Sequence, residues 1–244
     1  MISQDNVVAM SCSSESSFDS LFDEAETTPV ASTRTPPIPG LWVFPDLLLP
    51  EVAGQYTYDM HSARTDGGVD ETLKAIAEDA VFNGKDQVML FTRPPPHGSS
   101  LPDYLLKLQN TTSTSLEARL DDNHHQILFD QPLARQVILN LYPPGEGISP
   151  HIDLPNRYAD GIIGVSLIGS TTMTFQRGEE RYDVYIPERT IYLMTGEARW
   201  EWSHGIEGRL LDEVDGKHGV ETRMRSTRVS VTFRWMKEGA EVLA

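Results

Sequence analysis

Residues 140–153 read Asn140-Leu-Tyr-Pro-Pro-Gly-Glu-Gly-Ile-Ser-Pro-His-Ile-Asp153 and end in an imidazole and a carboxylate two positions apart. In a strand, residues i and i+2 point to the same face, so the side chains of His151 and Asp153 can reach one metal ion. A second imidazole, that of His204, follows an apolar run far downstream. The His-x-Asp pair alone is a frequent chance match, so the rest of the chain has to support a metal site.

Two histidines and one carboxylate can form a facial triad, which leaves coordination positions open. Such a triad is typical of the Fe(II) sites of non-haem oxygenases. The sequence therefore predicts a metal site formed by His151, Asp153 and His204.

From Arg135 onward the chain predicts a dense series of short strands. Turns rich in glycine or built on Pro-Glu separate them, at residues 178–180 and 187–188. Short strands at this spacing, after helices in the N-terminal half, are typical of an antiparallel barrel of two sheets with helices on one side. The predicted strands are 135–142, 161–168, 171–176, 181–186, 190–194 and 228–235, and residues 210–219 are expected to form a polar loop.

The N-terminal half has a different character. Residues 1–40, rich in Ser, Thr and acidic side chains over most of their length, predict a disordered tail, and the folded domain is expected to span residues 41–244. Long irregular segments ahead of an active-site strand often act as lids, and we expect residues 54–126 to include one. Further predictions are strands at 41–44 and 88–91, helices at 46–56, 70–82 and 103–108, and a polar, mobile segment at 109–126.

The composition limits the classes of partner and the compartment. No apolar run is long enough to cross a membrane, and no basic segment followed by an apolar one predicts a secretory signal. Cys12 is the only cysteine, which excludes an intrachain disulfide and is typical of a reducing compartment. We expect a monomer in the cytoplasm, the nucleus or both.

The formal net charge of −16 argues against tight, non-specific binding of polyanions. A local basic groove stays open as an alternative. Five arginines could contribute to it: Arg119, Arg135, Arg157, Arg177 and Arg181.

The closing strand, Arg228-Val-Ser-Val-Thr-Phe-Arg234, alternates between polar and apolar side chains. Period-2 geometry puts Arg228, Ser230, Thr232 and Arg234 on one face and the apolar residues on the core face. One interpretation is an edge strand with a solvated polar face. The other is a carboxylate-binding strand, because arginine is suited to binding a carboxylate with two parallel hydrogen bonds.

Three motifs together resemble the AlkB-type Fe(II)/2-oxoglutarate dioxygenases: Asn-x-Tyr-x-x-Gly-x-x-x-x-x-His-x-Asp, Trp-x-His-Gly and Arg-x-x-x-x-x-Arg. The resemblance covers about residues 41–236. The run from Met194 to Gly205 is most similar to the eukaryotic branches, including the one that hydroxylates wobble uridine in tRNA. The resemblance implies an α+β, mainly β fold with a double-stranded β-helix (jelly-roll) core, N-terminal helices and a lid. It also implies Fe(II) and 2-oxoglutarate as cofactors and O2 as co-substrate.

The resemblance implies a role for each matching residue. The ligands of Fe(II) would be His151, Asp153 and His204. The residues that contact 2-oxoglutarate would be Asn140, Tyr142, Arg228, Ser230 and Arg234. Arg228 would pair with the distal carboxylate and Arg234 would act at the end nearer the metal. Ser230 stands where bacterial members have an asparagine, and Arg225 is the alternative to Arg228 if the strand register is shifted.

The implied reaction is hydroxylation or oxidative demethylation of a modified base in RNA or DNA. The dipeptide Leu154-Pro155 replaces the acidic residue that bacterial members use near the base. Two alternatives remain open. One is the same chemistry on a protein such as a methylated histone, and the other is a barrel that binds metal or a partner without turnover. The candidates for contact with an unstacked base are Tyr56, Tyr58, His61, Phe91, Arg93 and His97.

Overall fold

The computed structural model describes residues 28–45, 47–48, 76, 80–93 and 101–240. The helix predicted over 46–56, the loop after it, most of the helix predicted over 70–82 and the loop at 94–100 lie outside the described residues. So do the base-contact candidates Tyr56, Tyr58, His61 and His97.

The largest sheet has six antiparallel strands in the order β2-β9-β6-β13-β4-β3. The closing strand, β13, lies inside this sheet between β6 and β4, which excludes the interpretation as a solvated edge strand. The strands are β2 Leu41–Phe44, β3 Gln87–Phe91, β4 Arg135–Tyr142, β6 Tyr158–Ile168, β9 Thr190–Met194 and β13 Arg228–Met236.

A smaller sheet of four strands faces the large one, in the order β5-β10-β7-β8. Its strands are β5 Ile148–His151, β7 Thr171–Arg177, β8 Glu180–Ile186 and β10 Ser203–Ile206. Phe175, Trp202 and Tyr192 belong to one core cluster with residues of both sheets. Two antiparallel sheets packed in this way confirm the predicted jelly-roll architecture.

The helices α1 Asp103–Leu116 and α2 Asp122–Phe129 cover the outer face of the large sheet. Their buried leucines share a core cluster with Val229, Val231 and Phe233 of β13. A short helix, α3 Gly196–Trp200, lies between β9 and β10. The helices therefore lie on the face of β13 opposite to its arginines, as the alternation predicts.

The prediction that the first of these helices ends at Leu108 and that residues 109–126 are mobile is wrong. Helix α1 continues to Leu116 because Leu108, Thr112 and Leu116 recur at helical spacing and are buried. The polar residues of weak helix propensity between them concealed this pattern. Asp121 then caps α2 by accepting a hydrogen bond from the backbone N–H of His124 at 2.9 Å.

The prediction of a polar loop at 210–219 is also wrong. Strands β11 Leu211–Gly216 and β12 Gly219–Met224 form a hairpin, and β1 Val30–Ala31 pairs with β11 in parallel. Asp212 and Val214 are buried on one face of the hairpin. A buried aspartate at an alternating position made the segment look solvated in the sequence.

Strand β1 lies within the tail predicted for residues 1–40. Ala31 is fully buried and Ile38 packs into the core between the sheets. The folded part of the chain therefore includes residues 30–40. Residues 1–27 lie outside the described residues.

Candidate functional site

The two histidines come from neighbouring strands of the small sheet. His151, the last residue of β5, lies directly opposite His204 of β10, and their ring centroids are 4.6 Å apart. Asp153 follows two residues after β5. Its Oδ1 atom is 3.9 Å from Nε2 of His151, and its Oδ2 atom is 4.0 Å from Nε2 of His204. One ligand atom from each residue lies within 4.8 Å of the others, an arrangement that could hold a metal ion.

The environment keeps both imidazoles ready to bind a metal. The side chain of His151 is partly exposed, whereas Asp153 and His204 are buried. Burial lowers the pKa of His204 to about 4, so its ring is neutral at physiological pH. Nδ1 of His151 donates a hydrogen bond to the carbonyl of Ser149 at 2.9 Å, and in the neutral ring this tautomer has its lone pair on Nε2, the nitrogen that faces Asp153.

Two arginines hold Asp153, one by its carboxylate and the other by its backbone carbonyl. Nη2 of Arg234 is 2.8 Å from Oδ1 of Asp153. Arg199, in α3, is 2% exposed and donates hydrogen bonds to the carbonyls of Asp153, Tyr158 and Ala159 at 3.0, 3.2 and 3.3 Å. Arg199 thereby fixes the segment that connects Asp153 to β6.

The large sheet places a group of polar and cationic side chains on its inner face. Arg228 and Ser230 of β13 lie directly opposite Tyr142 and Asn140 of β4. Arg228 is 4% exposed, lies 5.5 Å from the ring of Tyr142, and donates one hydrogen bond from Nη1 to Ser230 Oγ at 3.2 Å. Its Nε and Nη2 atoms have no partner among the described residues. Asn140 accepts a hydrogen bond from the Gln87 amide at 2.7 Å, which orients it.

A buried cation without a counter-ion is costly, so Arg228 fits a site for an anion. Burial also raises the pKa of the Tyr142 phenol, which therefore stays protonated and can donate a hydrogen bond. These groups suit a carboxylate such as the distal one of 2-oxoglutarate.

Arg225, the alternative to Arg228, is not available to a ligand. Its guanidinium forms two hydrogen bonds with the buried carboxylate of Asp212, at 2.7 and 2.8 Å. It therefore joins the two strands of the β11–β12 hairpin at their base, and the shifted register is excluded by the pairing of Arg228 with Tyr142.

The predicted basic groove does not form from the five arginines proposed for it. Arg177 pairs with Glu180, Glu197 and Glu201, and Arg181 pairs with Asp183 and Glu207. Arg135 is buried over the ring of Trp235, and Arg119 lies over Phe44 beside the helices. Of the five, only Arg157 is close to the metal ligands in sequence and forms no ion pair with a carboxylate among the described residues.

Sequence reasoning missed three residues around the site. Arg199 could have been suspected from its place in the 194–205 run, but only coordinates show which carbonyls it contacts. Thr171 lines a narrow cleft with Tyr142 and Arg228, and its buried hydroxyl has no partner among the described residues. The Tyr192 ring crosses β6 where a side chain at Gly164 would collide with it, and no local pattern signals this contact.

Comparison with known proteins assigns the family. A family model described as the 2OG-Fe(II) oxygenase superfamily matches residues 88–234, more than half of the chain. The chain belongs to this superfamily. The matched domain is therefore that of an oxygenase that uses Fe(II) and 2-oxoglutarate, as the three motifs imply.

The relatives of this oxygenase confirm the resemblance to AlkB. An uncharacterized protein of Acanthamoeba polyphaga mimivirus is 40% identical over 121 residues, 47% of this chain and 56% of the viral protein. The ALKBH8 tRNA (carboxymethyluridine(34)-5-O)-methyltransferase of Xenopus tropicalis is 36% identical over 112 residues, 41% of this chain and 18% of that protein. The mitochondrial alkB homolog 7 of mouse is 34% identical over 116 residues, which are 45% of this chain and 49% of the mouse protein. These matches span little more than half of each relative, or less.

Solved structures of prolyl hydroxylases also align with this oxygenase. The enzyme from Trichoplax adhaerens, in complex with a peptide, has a TM-score of 0.45 at 11% identity. The alignment covers 83% of this chain and 86% of the Trichoplax chain. That from Pseudomonas putida has a TM-score of 0.45 at 14% identity, with 81% and 88% covered. Among the described residues no helix is long and apolar enough to span a membrane.

Proposed function

We propose that this dioxygenase hydroxylates or oxidatively demethylates a modified base in RNA or DNA. The observation that carries the oxygenase site is the combination of the His151–Asp153–His204 triangle with the buried guanidinium of Arg228, which has no counter-ion within the described part of the chain. The choice of a nucleobase is supported by relatives whose names include an alkylated DNA repair protein homolog in Arabidopsis thaliana and a probable RNA/DNA demethylase in Danio rerio.

In this proposal, His151, Asp153 and His204 hold Fe(II), and Arg228, Ser230, Tyr142, Asn140 and Arg234 hold 2-oxoglutarate. When bound, the metal and co-substrate supply oxidation of a C–H bond by O2, with succinate and CO2 as the other products. The chain itself orients the ligands. The Ser149 carbonyl fixes the tautomer of His151, and burial keeps His204 neutral. Arg234 holds the Asp153 carboxylate and Arg199 holds its backbone.

The product depends on the carbon that is oxidised. A methyl group on nitrogen gives a hydroxymethyl group that collapses to formaldehyde, whereas oxidation of a carbon bound only to carbon gives a stable alcohol. Formaldehyde release and a mass increase of one oxygen atom in the substrate therefore distinguish demethylation from hydroxylation.

The test supplies purified protein with Fe(II) and 2-oxoglutarate and measures succinate, formaldehyde and oxygenated substrate. The substrates are methylated single-stranded RNA and DNA oligonucleotides, an anticodon stem-loop with a modified wobble uridine, and a methylated histone peptide. We expect turnover of a nucleic acid and its loss in His151→Ala.

Each other outcome has a defined meaning. Turnover of the peptide alone would replace the nucleobase by a protein substrate. No succinate in the wild-type protein, with or without a substrate, would leave a barrel that binds metal or a partner without turnover.

A further inference from the structure

Three cations lie at one end of four adjacent strands. Arg157 immediately precedes β6, Lys237 immediately follows β13, and Arg93 follows β3 by two residues. Because β6, β13, β4 and β3 are successive and antiparallel, these positions lie at the same end of the large sheet. The backbone N–H of Lys237 donates to the carbonyl of Arg157 at 2.9 Å, which fixes the first two side by side. We call Arg93, Arg157 and Lys237 the cationic rim.

The rim lies at the end of the barrel that holds the metal ligands. Arg234 lies two residues before the end of β13 and contacts Asp153, whereas Arg228 lies at the opposite end of that strand. The centroid of the Tyr158 ring lies 5.1 Å from the guanidinium group of Arg234 and 6.0 Å from that of Arg157. One aromatic ring is therefore close both to a member of the rim and to an arginine that contacts a metal ligand.

The rim cations differ from four other arginines near the surface in having no counter-ion among the described residues. Arg177, Arg181, Arg209 and Arg223 each form an ion pair with at least one carboxylate. Within the described part of the chain, no carboxylate pairs with a member of the rim. Glu238 follows Lys237 directly and is exposed, and it offsets part of the rim charge.

The side chains of the rim are accessible and two of them are held by aromatic rings. Lys237 and Arg93 are exposed and Arg157 is half-buried. Nζ of Lys237 lies 5.4 Å from the centroid of the Trp200 ring. Cations that are positioned but unpaired are available to phosphates.

We propose that the cationic rim contacts the phosphates of a single-stranded nucleic acid and thereby presents its base to the metal site. This inference rests on the proposed function and deepens it. The rim spans three strand spacings, about 14 Å, which is the length of roughly four stacked nucleotides. The net charge of −16 repels a polyanion from the chain as a whole. The cationic rim beside the metal site attracts it locally.

The experiment measures binding of a fluorescein-labelled 12-nucleotide single-stranded RNA to the full chain with Mn(II) and 2-oxoglutarate, without O2. The test variant combines Arg93→Gln, Arg157→Gln and Lys237→Gln. The control combines Arg34→Gln, Lys85→Gln and Lys217→Gln, three cations outside the rim that form no ion pair among the described residues, and has the same net charge. Thermal unfolding shows whether both variants are folded.

We expect the rim variant to bind at least tenfold more weakly at low salt and the control to stay within about threefold of the wild type. Three lost phosphate contacts should also reduce the slope of log K against log[salt] by about 2, at roughly 0.7 per contact for a single strand. Equal losses in both variants, or none in the rim variant, would overturn the proposal. So would tighter binding of a basic histone-like peptide than of RNA by the wild type. The proposed function fails separately, if the wild type forms no succinate.

Discussion

Arg228 combines two properties that ordinarily conflict, since it is buried and it lacks a counter-ion among the described residues. A protein without its co-substrate carries the cost of that uncompensated charge. Bound 2-oxoglutarate would remove this cost. Arg228 therefore lowers the stability of the free protein and raises its affinity for an anion.

The first prediction concerns Arg228→Met. We expect the free protein to become more stable, by about 1–3 kcal/mol, because an unpaired buried cation is replaced by an apolar group of similar size. Binding of 2-oxoglutarate should be lost. Denaturant unfolding and calorimetric titration measure the two effects.

Arg225→Met is the matched control for that change. Arg225 is also buried but is bonded to Asp212, so its loss removes two hydrogen bonds from a buried carboxylate that keeps its contact with Arg209, and should destabilise by about 3 kcal/mol. If both variants lose similar stability, Arg228 is compensated in the free protein and the first prediction is wrong.

The second prediction concerns pH. Burial lowers the pKa of His204 to about 4, below the value near 6.5 of an exposed histidine. Above pH 6.5 the His204 ring is neutral in both the folded and the unfolded state, so protonation of this ring does not lower the free energy of unfolding. Between pH 6.5 and 4 only the unfolded state takes up the proton, so the metal-free protein should lose about 3 kcal/mol over this interval.

The measurement is the free energy of unfolding of the metal-free protein at pH 7, 5.5 and 4.5. His204→Asn, which does not titrate, should show a smaller loss across the same range. An identical pH profile in the two proteins would mean that His204 is already solvated in the folded state.

At the scale of elements, α3 acts on the metal site through the segment between β5 and β6. Arg199 contacts the carbonyl of Asp153 in that segment and those of Tyr158 and Ala159 at the start of β6. We predict that Arg199→Lys weakens Mn(II) binding by about 10-fold to 100-fold, because a single ammonium group cannot replace the fork of donors.

The control for this third prediction is Arg135→Lys. Arg135 is also buried, but it donates to the carbonyl of Leu128 at the end of α2, away from the metal ligands. Both variants should lose stability, and only Arg199→Lys should lose metal affinity. Electron paramagnetic resonance of Mn(II) gives the affinity, and equal weakening in both would reduce Arg199 to a general structural role.

The elements also show what the sequence could predict and why. Strands β4 and β9 have the predicted bounds, since alternation in a sheet is a local property. The alternation of β13 predicted which side chains share a face, but not that the strand is central, because that depends on its neighbours. The β11–β12 hairpin was missed because its core contact is a buried Asp212–Arg225 ion pair, which sequence patterns assign to solvent.

At the scale of the molecule, the site joins two sheets. The histidines belong to the small sheet, whereas Arg228 and Tyr142 belong to the large one. A metal ion alone would contact the small sheet, and 2-oxoglutarate alone would contact mainly the large sheet. A co-substrate bound to both would link the sheets.

The fourth prediction follows from this arrangement. Mn(II) and 2-oxoglutarate together should raise the melting temperature by more than the sum of their separate effects, because each ligand increases the affinity for the other. Differential scanning fluorimetry under nitrogen measures the shifts. Additive shifts would mean that the two ligands bind independently, and Arg228→Met should abolish the excess.

The ion pairs at the base of the β11–β12 hairpin have a practical consequence. Arg225 and Arg209 both hold Asp212, and Arg209 also pairs with Glu207, just beyond the strand that carries His204. The tip, at Lys217 and His218, is exposed and lies beyond both these ion pairs and the pairing of β11 with β1. A fluorophore or affinity tag inserted at the tip should therefore report on the enzyme without disturbing it, which makes the hairpin a natural point of attachment for labelling.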